Sequence, residues 1–522
     1  MNINPKLAID TAPRVKVLIT ASEAYPELER LFLEAEEEIE LGFRIFDPKT
    51  RLLSDRAKAV GETWFHLIIH TLRRGVRLRF VLSDFDPIAG ACEHRRAWAC
   101  KRQLVAAREL AGPEARLEVV VAMHPAKMGA LPRLGLWVKA NAQLQDQCDT
   151  LNAMKPDARK RAMLEMPALR PLLQCDAQEK WLPRQGQIPF LRPATHHQKL
   201  AVIDKRYLFI GGLDVNNRRM DTPEHRRPAA ENWHDVQVLV SGGPAVMAAH
   251  RHLVHFLDEV AQKSPITPAT LPFLRTISTK RRFRWPFMSP LPRVAEIDAA
   301  HRFLAQRAER LIYLETQFFR DVPLARHMAA LARKMPDLTM ILILPAAPED
   351  VAFDNSGGMD ARFGEHLQVK SLRILHKGFG NRLLVASPVR PIAQDSENRD
   401  TLCGSPLIYV HAKVSIFDGT KAIVSSANLN GRSLAWDTEA GVLLDNPEDA
   451  RHLQERCFAH WLPKQADPAL FEVRTAYALW RKLVFANGRL PPAERTGFLV
   501  PYALGPAKDL GDDLPYVPPE MV

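Results

Sequence analysis

Cysteine is scarce and unpatterned in this chain. Cys92, Cys100, Cys148, Cys175, Cys403 and Cys457 share no framework spacing, so a disulfide scaffold is not expected and free thiols point to a reducing compartment. No C-x-x-C, H-E-x-x-H or calcium-loop pattern occurs, which removes the recognisable metal motifs. No apolar run reaches 18 residues, so no membrane span is expected. Met1-Asn2-Ile3-Asn4-Pro5-Lys6 has no charged-then-apolar leader. The expected location is therefore cytoplasmic or peripheral at a membrane, with signal-independent export left open. Aromatic content is 7%, which gives no sign of a base-stacking surface. Net acidity is missing too. The net charge is +11 and the pI about 9.4, which suits an anionic partner, either a phospholipid surface or nucleic acid.

What is present is a repeat. His197-Gln198-Lys199, four residues, then Asp204 recurs as His411-Ala412-Lys413, four residues, then Asp418. Six residues separate each Asp from a small-residue turn, Gly211-Gly212-Leu213-Asp214 in one copy and Ser425-Ser426-Ala427-Asn428 in the other. The same offset relates Asn216 to Asn430 and Arg218 to Arg432. One HxK is a weak signal; two copies with identical spacing are not.

Each copy reads as strand, turn, strand. The apolar runs 200–203 and 414–417 lead out, and 208–210 and 422–424 return. Residues i and i+2 of a strand face one side, so His197 points with Lys199 and His411 with Lys413. A histidine beside a fixed cation suits a phosphoryl group: the ammonium neutralises an oxygen while the imidazole attacks phosphorus or moves a proton. At an effective dielectric of about 20, a charge pair about 4 Å apart is worth roughly 4 kcal/mol. Asn216, Ser426, Asn428 and Asn430 stand at or after the turns as candidate phosphate or substrate contacts. Asp204 and Asp418, taken alone, read as turn and hydrogen-bond anchors. Asp235, in Trp233-His234-Asp235, and Glu439 each precede a strand and are candidates to orient a histidine through its second ring nitrogen. His196 and His234 read as supporting groups.

These residues resemble the phospholipase D superfamily in its duplicated single-chain form. Ile312-Tyr313-Leu314-Glu315-Thr316-Gln317-Phe318-Phe319 is similar to the IYIENQFF segment of the phospholipase branch, and Trp233-His234-Asp235 fits that branch as well. Thr316 stands where Asn is usual and Ser425 where Gly is usual, and neither change removes a reactive group. The resemblance implies a catalytic set of His197, Lys199, Asp204, His411, Lys413 and Asp418. It implies that His197 forms a phosphohistidine while His411 protonates the leaving alcohol and then activates water or another alcohol. Lys199, Lys413 and Asn428 would hold the phosphate, with Gln317 also at the substrate. Asp235 and Glu439 would orient the histidines across the two halves. The residues themselves do not divide the roles of His197 and His411. The scheme calls for no cofactor and no metal.

The expected fold class is α/β: two homologous halves, each a mixed β-sheet flanked by helices, with one active site at their interface. The first half is expected over residues 1–264, with a helical insertion at about 124–195 that has no counterpart. A proline-rich basic linker follows over 265–292, then the second half over 293–490 and a tail over 491–522. Expected elements of the first half include a helix over 25–39, with Glu34, Glu36, Glu37 and Glu38 on its solvated face, and a strand over 41–46. The second half opens with an expected helix over 296–310. The insertion reads as a lid or head-group wall, or equally as a packing ornament. The run Lys280-Arg281-Arg282-Phe283-Arg284-Trp285-Pro286-Phe287 suits an anionic bilayer surface or a plain charged linker.

The function expected first is phospholipase D-type cleavage of a phospholipid head group to phosphatidic acid, with head-group exchange when an alcohol replaces water. The partner is then phospholipid at an anionic membrane surface. Alternatives are a phosphatidyltransferase of lipid synthesis resembling cardiolipin synthases, or a nuclease of the same superfamily. Nucleic acid is disfavoured as a partner because the single-motif nucleases are much shorter chains. A tyrosyl-DNA phosphodiesterase is disfavoured because both copies keep the motif Asp. A non-catalytic membrane scaffold is disfavoured because both histidines and both lysines are intact. A duplicated chain needs no obligate protein partner to assemble its site, so a monomer is expected.

Overall fold

The computed structural model describes residues 14–288, 290–354, 357–395 and 398–522. The leader reading at Met1–Lys6 lies outside the described residues, as does Ser289 of the expected linker.

Two mixed sheets carry the fold. The first contains β1 (Arg14–Ile19), β2 (Glu38–Phe43), β3 (Arg77–Asp84), β4 (Leu117–Met123), β5 (Lys199–Ile203), β6 (Tyr207–Gly211) and β7 (Val236–Ser241), in the order β1-β7-β6-β5-β2-β3-β4. The second contains β8 (Phe273–Thr279), β9 (Leu291–Ala295), β10 (Leu311–Thr316), β11 (Thr339–Ile343), β12 (Leu383–Pro388), β13 (Lys413–Phe417), β14 (Lys421–Ser425), β15 (Glu439–Leu444) and β16 (Leu499–Pro501). Its order is β9-β8-β15-β14-β13-β10-β11-β12-β16. Without its two edge strands, this is the first sheet again. In both, β2–β3–β4 or β10–β11–β12 run parallel and the motif strands pair antiparallel beside them.

The motif strands are mainly apolar because both of their faces are buried. Leu200, Val202, Leu208 and Ile210 pack in one shared core with Val414, Ile416, Ala422 and Val424 of the other sheet. The alternate residues Ala201, Ile203 and Phe209 turn outward to a layer that includes helix Thr20–Glu34. Phe417 and Ile423 do the same toward the helices of the second half. Helices Gly243–Val260 and Pro447–Trp461 also pack into this shared core, so helices lie between the two sheets as well as on their outer faces, and the two halves are joined through an apolar interface.

Two expected helices stop early for one reason. The first ends at Glu34 and β2 begins at Glu38. The amides of Glu36, Glu37 and Glu38 all donate to the carboxylate of Asp204, at 2.8, 2.8 and 2.9 Å. These glutamates therefore line a turn and a strand start, not a helix face. In the second half the helix ends at Ala305, and Asp418 accepts the amides of Glu309, Arg310 and Leu311.

The stretch 265–292, expected as linker, contains β8, which pairs with β15 as β1 pairs with β7. The tail contributes β16, paired with β12. The insertion forms helices Ala130–Ala153 and Pro156–Leu164 with a small apolar cluster of its own around Leu144, Leu151 and Leu169. Among the described residues no helix is long and apolar enough to cross a membrane.

Candidate active site

The ends of β5 and β13 meet across the interface between halves. His197 precedes β5, and its amide donates to Thr438 O of the other half at 2.8 Å. His411 precedes β13, and its amide donates to His234 O at 2.8 Å. Each histidine segment thus runs beside the segment that carries the other half's carboxylate. Tyr409–Val410 pairs with Trp233–His234, and His196 bridges to Thr438.

This exchange sets the side-chain contacts. His197 Nδ1 lies 2.9 Å from Glu439 Oε1, and His411 Nδ1 lies 2.6 Å from Asp235 Oδ2. With Nδ1 as the donor in each pair, Nε2 is left as a lone pair. Burial, with Lys199, Arg44 and Lys413 nearby, holds His197 well below the usual histidine range, and burial with Lys413 and Arg219 does the same for His411. Burial drives both carboxyls upward. Each pair therefore favours one shared proton over two separated charges. Lys199 Nζ donates to His197 O at 2.6 Å and stands 3.4 Å from both ring nitrogens. Lys413 Nζ donates to His411 O. Burial, partly offset by Asp235, pushes the Lys413 ammonium down to about 7.

A cleft of about 440 Å³ opens over the two histidines, lined by His197, His411, Gln317, Asn428 and Asn430. Asn428 Oδ1 has no protein partner. Asn430 Oδ1 accepts the Ser433 amide at 3.0 Å, and Gln317 Nε2 donates to the Tyr409 hydroxyl at 2.9 Å.

Four of the expected site residues serve elsewhere. Asp204 and Asp418, grouped with the catalytic motif, are consumed by the backbone amides described above and do not line this cleft. Asn216 caps a short turn by accepting the Arg219 amide at 3.1 Å, and it lines a neighbouring cavity. Ser426 donates to Glu439 Oε2 and accepts the Ala440 amide, so it positions a carboxylate and does not face the cleft. Its counterpart is Gly212, where a Cβ would fall 2.2 Å from Asp235 Oδ1. The two positions thus seat the two carboxylates in different ways.

The sequence reading missed a set of arginines. Arg44, Arg192, Arg219, Arg320 and Arg432 all line the cleft. Arg219 lies 3.4 Å above the Trp233 ring, and its Nε and Nη1 have no protein partner. Arg320 Nε is likewise unpartnered. Arg432 pairs with Asp437 at 3.0 Å. The register offered a signal for Arg44: Phe43 pairs with Lys199 as Thr316 pairs with Lys413, so Arg44 holds the place of Gln317. Arg432 stands at the repeat offset from Arg218 but carries no site role in the sequence reading, while Arg192 comes from the insertion and Arg219 and Arg320 from short connecting segments with no repeat to mark them.

Comparison with known proteins adds the following. A family model described as cardiolipin synthase, PLD-like domain, matches residues 304–461. Phospholipase D1 of Schizosaccharomyces pombe is 25% identical over 370 residues, covering 52% of this chain and 27% of that protein. Phospholipase D zeta 1 of Arabidopsis thaliana is 26% identical over 260 residues, covering 44% of this chain and 23% of that one. The chain thus spans only about a quarter of the length of these relatives. Among solved structures, a phosphatidylserine synthase of Haemophilus influenzae Rd KW20 superposes with a TM-score of 0.49 at 12% identity, covering 92% of this chain and 95% of that one.

Proposed function

Since the chain belongs to the phospholipase D superfamily, we propose that it is a phosphodiesterase that cleaves phospholipid head groups through a phosphohistidine. The observation that carries this reading is the crossed pair of His197–Glu439 and His411–Asp235, with two buried lysines beside them. His197 Nε2 attacks phosphorus, and the bond from phosphorus to the head-group oxygen breaks. His411 gives its proton to that oxygen. A phosphodiester anion in the cleft raises the His411 pKa toward the protonated form this step needs. Water then attacks phosphorus, passes its proton to His411, and the P–N bond breaks to release phosphatidic acid. Lys199, Lys413 and Asn428 hold the nonbridging oxygens, and the unpartnered nitrogens of Arg219 and Arg320 add donors preorganised for that charge. The scheme needs no metal.

A surface beside the cleft favours a lipid over nucleic acid. Leu131, Leu134, Trp137 and Val138 on the insertion helix are exposed, Val138 at 78%. Phe283, Trp285 and Phe287 of the basic run are exposed next to them. The two segments are tied by the Gly129 amide to Phe287 O at 3.0 Å and the Leu131 amide to Trp285 O at 3.3 Å. Lys127, Arg133 and Arg284 surround Phe190, two residues from the cleft-lining Arg192. Apolar side chains rimmed by cations suit an anionic bilayer, where each basic residue near the surface contributes about 1 kcal/mol.

A phosphatidyl transfer between alcohols uses the same residues, and the family match to residues 304–461 keeps it as the second reading. One experiment addresses both. Mixed anionic phospholipid vesicles are incubated with the protein and ethanol, and the lipids are read by mass spectrometry beside the His411→Ala protein. Phosphatidic acid and phosphatidylethanol from wild type alone support the hydrolytic reading. Transfer products without phosphatidic acid favour the synthetic one. Unchanged lipid with folded protein would overturn the lipid assignment.

A further inference from the structure

Behind the His411–Asp235 pair lies a second histidine cluster that the phosphoryl chemistry does not use. His225, His234 and His460 each present one ligand nitrogen, and these nitrogens lie within 4.8 Å of one another. His225 and His234 are fully buried, while His460 keeps an edge toward solvent. His225 comes from a loop, His234 from the short bridge segment Trp233–His234, and His460 from helix Pro447–Trp461.

Two features separate this cluster from histidines that merely pack together. First, two outer nitrogens are held by buried carboxylates. His225 Nδ1 lies 2.8 Å from Asp221 Oδ2, and His234 Nε2 lies 2.8 Å from Glu315 Oε2. Such partners fix the tautomer and orientation of metal-binding imidazoles. With the outer nitrogens protonated, His225 Nε2 and His234 Nδ1 are lone pairs. Second, His234 Nδ1 is buried and has no partner, which is costly for a buried polar atom. His225 Nε2 and His460 Nε2 stand 2.9 Å apart. Imidazoles on a tetrahedral ion, with metal–nitrogen bonds of about 2.0–2.1 Å, hold their nitrogens about 3.3 Å apart. The His234 and His460 rings stack at 4.5 Å with 26° between their planes, so binding calls for a turn of the partly exposed His460 ring as well as an opening of the pair. His225 also sits at φ +50, a conformation that non-glycine residues adopt at a cost.

We propose that His225, His234 and His460 bind one divalent transition-metal ion of the zinc class. Neutral imidazole nitrogens select zinc or cobalt over magnesium and calcium, which take oxygen ligands. Asp221 and Glu315 offset the ion's charge through the rings, and the proton that His460 Nε2 shares with His225 Nε2 moves to His460 Nδ1, so that both rings bind as neutral imidazoles. The ion touches no substrate and acts as a clamp. His225 and His234 belong to the first half, His460 and Glu315 to the second. His234 O also accepts the His411 amide, and Asp235 is the next residue along the chain. The ion thus fixes the segment that orients His411. The inference does not depend on the substrate.

The test uses the full chain, stripped with a chelator and titrated with cobalt(II), and with zinc(II) against a chromophoric competitor. The expected result is one ion per chain, the ligand-field band of tetrahedral cobalt and a higher Tm with zinc. His460→Gln, at the partly exposed position, is expected to lose the band. Asp221→Asn is expected to weaken zinc binding by about 10–100-fold. His452→Gln, exposed on the same helix, is expected to change neither. Wild type that binds no stoichiometric metal, or His460→Gln that binds it equally, overturns the proposal. If His460→Gln does not fold, X-ray absorption on the cobalt-loaded wild type decides: a nitrogen-dominated shell supports the site and a six-oxygen shell overturns it.

Discussion

Gly212 and Ser426 occupy the same place in the two halves and seat the two carboxylates differently. Gly212 leaves room for Asp235, whereas Ser426 gives its hydroxyl to Glu439. Gly212→Ala is therefore expected to push Asp235 off His411 and lower kcat with little change in KM, while Ser426→Ala acts through Glu439 and is milder. Steady-state kinetics beside circular dichroism checks this; equal kinetics in Gly212→Ala and wild type would remove the positioning argument. His197→Ala and His411→Ala should each lower turnover by about 10²–10⁴-fold or more with the fold retained. Near-normal activity in either would end the two-histidine mechanism.

Lys413 supplies a pH signature at the same scale. Burial pushes its ammonium down to about 7 in the free protein, so the charge proposed to meet phosphate is present below that pH and is lost as pH rises through it. The profile of kcat/KM, which reports the free enzyme, should fall on the alkaline side from about pH 7. Lys413→Arg keeps its charge and should move that limb up by about one unit or more, at lower activity. A limb that the arginine leaves in place belongs to another group.

At the scale of elements, Asp204 and Asp418 explain why their motif ends in an acid. Each accepts three consecutive amides where a helix gives way to the strand that runs beside the motif strand. Asp204→Ala and Asp418→Ala should each cost about 1–3 kcal/mol of stability and leave kcat of the folded protein close to wild type. Denaturant midpoints set against kcat separate the two effects; a lost kcat at unchanged midpoint would return these acids to the active site. The anchor reading was legible from the turn position alone. The early helix ends were not, because Ala35 and Ile39 extend the apolar spacing of the helix and the tertiary contact with Asp204 overrides it. The strand β8 was hidden in the same way, inside a stretch that its prolines and cations marked as linker.

Across the whole molecule, the shared core between the sheets lets each half supply the carboxylate for the other's histidine. The insertion and the basic run, far apart in sequence, form one apolar and cationic surface beside the cleft. A Trp137→Ala, Trp285→Ala double variant should weaken binding to anionic vesicles about tenfold or more, given the apolar area lost, and leave kcat on a short soluble phosphodiester unchanged. Flotation or sedimentation of vesicles measures the first quantity; undiminished binding would assign the membrane contact to another face.

The sequence by itself determined the duplication, the two histidines and two lysines, the carboxylates Asp235 and Glu439, and the alternation of strands and helices. These are properties of spacing and side-chain chemistry, and a repeat displays both. Only the tertiary structure decided the rest. The arginines of the cleft, the turn amides bound by Asp204 and Asp418, the room at Gly212 and the grouping of His225, His234 and His460 depend on contacts between residues distant in the chain. Sequence spacing carries no record of such contacts until the two halves close on one core.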